Sequence, residues 1–148
     1  MPNLIGYTNV IKNVGIKLIL DNLYITRFWQ MVLPFNSYIE QSGKNRFFIK
    51  ILSDEPIEGE MTIIEHGFQN NGSYLVEIYM KPNEKIERFD ARLRIREISR
   101  DLIKVGFYVQ EFIPRSILLL RRRFRMMVNL RKSIREAINN LEKFAPLN

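Results

Sequence analysis

The sequence predicts an α+β fold in which an antiparallel run of strands is followed by one long C-terminal α-helix, with short helices near the N-terminus. Between Arg46 and Phe112, apolar-rich runs follow one another with only short turns between them, which leaves no room for crossover helices and favours an antiparallel meander. From Ser116 to Phe144 there is neither Gly nor Pro, and apolar residues recur at spacings of three and four, the signature of an amphipathic helix. Charge divides at the same place. Residues up to Pro114 carry 14 Lys/Arg against 14 Asp/Glu, so the net +7 of the 148-residue chain comes from nine basic and two acidic residues beyond it.

In chain order, Tyr7 to Leu20 reads as a strand, and Asp21 to Leu33 as one or two short helices, with Asp21 or Asn22 as cap and Pro34 as stop. Arg46 to Leu52 is a strand ended by Ser-Asp-Glu-Pro, and Glu58 to His66 is the next. Asn71-Gly72 marks a hairpin into Ser73 to Met80, because a tight two-strand turn needs residues that tolerate positive φ. Between Ile86 and Ile98 the alternation is cleanest: Phe89, Ala91, Leu93 and Ile95 face one way, and Arg88, Asp90, Arg92, Arg94 and Arg96 the other. That is a strand with one dry and one wet face. Leu102 to Phe112 continues the pattern through Val105, Phe107 and Val109. Pro114 suits the first turn of the terminal helix. At 1.5 Å per residue, roughly 30 residues make a rod of about 45 Å, long enough to cross a small sheet and cover its dry face.

A chain of this length buries roughly two thirds of the surface its unfolded form exposes, so one domain over residues 1–148 is expected. Without cysteine there is no disulfide, thiol nucleophile or cysteine metal site. A lone His66 argues against a histidine-built metal centre or a Ser/His/Asp triad and reads as a strand-end residue. No Gly-rich phosphate loop or nucleophile motif occurs, so no catalytic residue, metal or cofactor is assigned. The first apolar run is interrupted by Lys17 and closed by Asp21, unlike a signal peptide or a spanning helix, and a cytoplasmic protein is expected. Zero Cys with dense charge of both signs is thermophile-like.

Asp21, Val32-Leu-Pro34, the segment Tyr38 to Gly43 leading into the Arg46 strand, and Phe112 to Arg115 before the final helix sit in the element order of the START/polyketide-cyclase-like (SRPBCC-type) superfamily. The chain resembles that superfamily along most of its length, although it lacks the family's clear aspartate-proline step in the first helical region. The resemblance implies the helix-grip fold: a curved antiparallel sheet gripping the C-terminal helix around a cavity for a hydrophobic or amphipathic small molecule. Carriers, sensors, accessory proteins and cyclases share this scaffold, so fold alone does not assign chemistry.

On that scaffold the candidate ligand-binding residues are Val76, Ile78, Phe89, Leu93, Phe107 and Val109 from the sheet, Phe124 and Met127 from the helix, and Trp29, with Phe28, near the mouth. Counted from Phe124, Arg131 lies about 20° away and Arg123 about 100° away, among apolar neighbours. A buried guanidinium requires an anionic partner. That partner is an internal acid (Asp90, Glu77 or Glu65), or an anionic head group of the ligand; alternatively the side chains snorkel to solvent. The Arg121 to Arg125 cluster supports a different reading, nucleic-acid binding through the wet face of the basic helix. A cyclase-like enzyme is the third.

Overall fold

The computed structural model describes residues 5–33, 37–52, 57–115 and 123–144. Strand β1 (Ile5–Lys12) is followed by two short helices, α1 (Ile16–Asn22) and α2 (Thr26–Val32). Six strands then run in succession: β2 (Ser37–Gln41), β3 (Arg46–Ile51), β4 (Ile57–Phe68), β5 (Tyr74–Met80), β6 (Ile86–Ser99) and β7 (Leu102–Pro114). A helix, α3 (Arg123–Phe144), closes the described chain. The strands form one sheet in the order β1-β7-β6-β5-β4-β3-β2, with every neighbouring pair antiparallel. The meander is as expected. β1 joins it at the far edge, so the α1–α2 segment carries the chain back across about 29 Å of sheet, six strand spacings.

Three sequence-based boundaries change. β1 stops at Lys12 because Asn13 adopts φ 63 and its N–H donates to the Asp101 carbonyl at 2.8 Å; asparagine is among the few non-glycine residues that accept that conformation readily. Residues expected to prolong the strand therefore form α1. Asp21 and Asn22 end that helix instead of capping the next, and the Asn22 amide donates back to the Leu18 carbonyl at 2.7 Å. β2 has no counterpart among the expected strands. It is a five-residue edge strand in which Ile39 alone is buried, too short for a period-two pattern to show. Pro114 closes β7, where it sits opposite Ile86, and does not begin a helix; the expected helical start at 116–122 lies outside the described residues.

The Asn71-Gly72 turn is as read. Gly72 has φ 85, and the Asn71 carboxamide oxygen accepts from the Ser73 N–H and hydroxyl at 3.0 and 2.6 Å. Register shifts at Glu65/Gly67, Ile86/Arg88, Asp90/Ala91 and Glu97/Ser99 break the long ladders. Such bulges bend strands and increase twist, and they curl the sheet around α3. Val76, Ile78, Ala91, Ile95, Val105 and Val109 are buried on the inner face, while the arginines of β6 take the outer one, as the alternation requires.

On α3, Leu130, Ile134, Ile138 and Leu141 are buried against this face. Polar contacts set its position. Asn139 Oδ1 accepts from Asn9 Nδ2 at 2.9 Å and from the Tyr7 hydroxyl at 3.3 Å, both on β1. Asn140 Nδ2 donates to the Val32 carbonyl at 2.9 Å, satisfying one of the acceptors left free at the end of α2. Among the described residues no helix is long and apolar enough to cross a membrane.

Phe112 is 1% exposed and meets Phe89 edge-on at 6.1 Å between ring centroids. Phe112→Ala is expected to destabilise the protein by about 3–5 kcal/mol in denaturant unfolding. Phe68→Ala, at a residue 65% exposed whose ring meets the Tyr74 ring edge-on, should cost about 1 kcal/mol or less.

Candidate functional site

The inner face of the sheet, the α1–α2 pair and α3 do not close completely on one another. Between them lies a cavity of about 120 Å³. Ile78, Met80, Phe89, Leu93, Val105 and Phe107 supply its sheet wall; Ile19, Phe28, Trp29 and Val32 supply the α1–α2 side; Leu130, Ser133, Ile134, Ala137 and Leu141 supply the α3 side. Ser133 is the one polar side chain among the described lining residues, and none is titratable. The Trp29 indole N–H does not address the cavity, because it donates to the Leu23 carbonyl at 2.7 Å. Its ring packs edge-on to Phe28, with centroids 5.3 Å apart.

An apolar cavity of about 150 Å³ stays dry and accepts a benzene-sized guest, whereas pockets for drug-sized molecules run to about 300–1,000 Å³. The space here therefore suits one ring or a short hydrocarbon chain. A charged group inside would lose its hydration with no donor set to replace it.

Five of the expected ligand-binding residues line this wall: Trp29, Ile78, Phe89, Leu93 and Phe107. Val76 and Val109 are fully buried on the same face, within the core and off the wall. Met127 packs against the core a turn before the cavity's helix wall begins at Leu130. Of the alternatives for Arg131, the side chain takes the solvent-reaching one: it is exposed and does not line the described cavity wall, which corrects its place among the ligand-binding residues. The stripe runs from Ala137 through Leu130, Leu141 and Ile134 to Ile138, and Arg131 lies about 20° beyond Ile138 at its edge, where a long side chain reaches water. The side chains of Arg123 and Phe124 lie outside the described residues. None of the three acids proposed as partners for a buried arginine serves that role for Arg131: Glu77 and Asp90 belong to the outer face, and Glu65 is engaged elsewhere.

Sequence reading missed the contributions of α1, β3 and β4, namely Ile19, Ile49 and Met61. The one available signal was Met61 opposite Met80 across β4 and β5, a pair of unbranched side chains able to adapt to an irregular gap.

Glu65 forms a second polar feature. Its carboxylate accepts from the Tyr24 hydroxyl at 2.5 Å and from the Tyr74 hydroxyl at 2.6 Å, tying the α1–α2 connection to the sheet. Burial, and then the hydrogen bond to Glu65, pushes the Tyr74 phenol up to about 12, and the same two causes raise Tyr24 further. On the outer face, His66 Nε2 lies 3.1 Å from Glu77 Oε1. Asp90 is held above the usual carboxylate range, chiefly by burial and then by the neighbouring charge of Glu77. Among the described residues no group of His, Asp or Glu could hold a metal ion.

No protein-family model matches this chain, and no curated protein matches it in sequence. Its fold, by contrast, is shared with solved structures over nearly its whole length. A protein from Thermus thermophilus superposes with TM-score 0.67 at 7% identity, covering 97% of both chains. A START superfamily protein from Mycobacterium smegmatis gives 0.61 at 10% identity over 99% of both. The di-domain ARO/CYC StfQ from the steffimycin biosynthetic pathway gives 0.53 at 8% identity, covering 96% of this chain and 50% of that one.

The raised phenols stabilise the folded state while they remain protonated, so their contribution is complete below the ordinary value of 10.0 and is lost as pH rises toward about 12. The protein is accordingly expected to lose stability over that window more steeply than a Tyr24→Phe/Tyr74→Phe variant. Urea unfolding as a function of pH measures the difference, and equal slopes would remove Glu65 from this role.

Proposed function

We propose that this chain, whose fold is the helix-grip fold of START/polyketide-cyclase-like proteins, binds a small hydrophobic molecule, or the apolar part of an amphipathic one, between the sheet and α3. The role is that of a cytoplasmic carrier, sensor or accessory protein. One observation carries the reading: among the described residues, the cavity of about 120 Å³ is walled by aliphatic and aromatic side chains with a single hydroxyl. An occupant gains apolar contact and shape selection there, and no titratable side chain is among the described residues of the wall. Discrimination rests on size, with Trp29 and Phe28 on one side and Phe89 and Phe107 on the other. An anionic head group, where the ligand has one, stays at the solvent end, because no cation lines the described wall.

Alkylbenzenes and indole are expected to raise the unfolding temperature by mass action on the folded state. Native mass spectrometry should detect an apolar ligand that organic extraction removes. Ala137→Phe fills the cavity from α3 and should abolish the thermal shift, at a cost of about 1–3 kcal/mol in stability. Arg131→Ala should leave the shift unchanged, since Arg131 is exposed. A protein that responds to no neutral apolar probe and carries no extractable ligand does not have this function.

A further inference from the structure

On the outer face, opposite the cavity, strands β6, β7 and β1 place three rows of side chains in register: Arg92, Tyr108 and Gly6; Arg94, Gly106 and Thr8; Arg96, Lys104 and Val10. Toward the other strands of this face several cations are paired: Arg88 with Glu111 at 2.8 Å, Lys85 with Glu58 at 3.4 Å, Lys50 with Glu58 at 3.8 Å, and Arg46 with Glu60 at 3.9 Å; Arg92 has no ion pair among the described residues but lies opposite Glu77 and is partly buried, so it is left out of the site. Arg94, Arg96 and Lys104 have no ion pair among the described residues. Arg96 and Lys104 are directly opposite one another across two strands, an arrangement that destabilises a sheet unless an anion lies between the charges. Nearby acids do not pair with them: Asp101 lies in the β6–β7 turn, Glu97 alternates to the other face, and Glu77, opposite Arg92 and diagonal to Arg94, lies 3.1 Å from His66.

Beside this cluster lies an aromatic platform. The Tyr108 ring leans along the sheet over two glycines. A Cβ on Gly6 would stand 2.9 Å from the ring, and one on Gly106 would collide with the Tyr108 hydroxyl end. The hydroxyl is fixed by Thr8 Oγ1 at 2.7 Å. Any side chain at either glycine would lift the ring off the surface. Rows of side chains repeat about every 6.7 Å along a strand and about 4.8 Å across it, so the cations and the ring fall within the reach of two or three successive nucleotides.

We propose that this outer face of β6, β7 and β1 binds single-stranded nucleic acid, with Arg94, Arg96 and Lys104 on phosphates and a base stacked on Tyr108. Unpaired cations alone would suit any polyanion. A ring leaning over two glycines beside them favours a strand whose bases are free to stack, and the broad outer face of a curled sheet does not enter the grooves of a duplex as a helix or β-ribbon does. A lipid surface would meet the charges but only one exposed apolar side chain in the grid, Val10. The site is separate from the cavity and from the basic face of α3, so its test is independent of both.

Fluorescence anisotropy of the full chain with a labelled oligothymidylate or oligouridylate of about 12 nucleotides provides that test. Binding is expected at about 50 mM salt, with a log–log salt slope near −2, about 0.7 for each of three phosphate contacts. The variant Arg94→Gln/Arg96→Gln/Lys104→Gln should lose at least about tenfold in affinity and most of the slope. Tyr108→Leu, which still covers the glycines, should lose about tenfold with the slope unchanged. Arg131→Gln/Lys132→Gln/Arg135→Gln on α3 should stay within about twofold of the parent. The proposal is overturned by absence of binding at low salt, by loss that follows the α3 variant instead of the sheet variant, by a duplex competing as well as the single strand, or by anionic phosphatidylserine vesicles binding where the oligonucleotides do not. Circular dichroism and the thermal shift with alkylbenzenes confirm that each variant remains folded.

Discussion

An antiparallel sheet with one dry face has to be covered, and that constraint organises the rest of the molecule. Seven strands span about 29 Å, whereas a helix with its side chains is only about 10–12 Å across. Helix α3 lies against β1, β7 and α2 and leaves the remainder open. Two devices reduce the gap. Bulges at four places in β4, β6 and β7 curl the sheet toward the helix, and the chain's return from β1 to β2 is folded into α1 and α2 on the same side. The space left between three covering elements of fixed shape is the cavity. It is a geometric remainder of covering a wide sheet with narrow rods, and its apolar wall follows because every contributing surface was already dry.

Few polar groups enter this inner layer, and those that do act as fasteners between elements. Asn139 ties α3 to β1, Asn140 ties it to the end of α2, and Glu65 ties the α1–α2 connection to β4 and β5 through two phenols. Each links segments distant in sequence, and each satisfies donors or acceptors that would otherwise be lost at the margin of an apolar layer. The covering helices are short and α1 has no side-chain cap, so their positions depend on these bonds together with the burial of Ile19, Phe28 and Val32. That places the adjustable part of the cavity wall on the α1–α2 side, while the sheet side is held by continuous ladders.

The two faces of the sheet divide the chemistry. Inside, the described wall of the cavity is apolar and aromatic and carries no charge. Outside, cations and acids are interleaved across most of the strands, but pairing gives out over the end of β6 and β7, where Arg94, Arg96 and Lys104 meet a grounded tyrosine. The formal excess of positive charge belongs to the C-terminal segment, yet the unpaired cluster with a defined geometry lies within the part of the chain that is neutral overall. Net charge by segment and local charge by surface are different quantities, because only the fold decides which acids come within reach of which bases.

Periodicity by itself determined the strands from Arg46 onward, the Asn71-Gly72 hairpin, the facing of Phe89 through Arg96 and the amphipathic terminal helix, since each depends on side-chain alternation or rotation within one segment. It put Ile78, Phe89, Leu93 and Phe107 on one dry face, whereas the cavity itself, and Trp29 beside it, were implied only by the family resemblance, since alternation does not report empty volume. What depends on distant partners was not legible. Lys12 ends β1 because Asn13 reaches the Asp101 carbonyl; Ile39 makes an edge strand only because β3 lies beside it; Pro114 is held in β7 by Ile86. Arg131 shows the limit most clearly. A helical wheel fixes the angle between Arg131 and Phe124, but the zero of that angle is set by where α3 rests on the sheet, and packing placed it so that Ile134 points inward and Arg131 points to water.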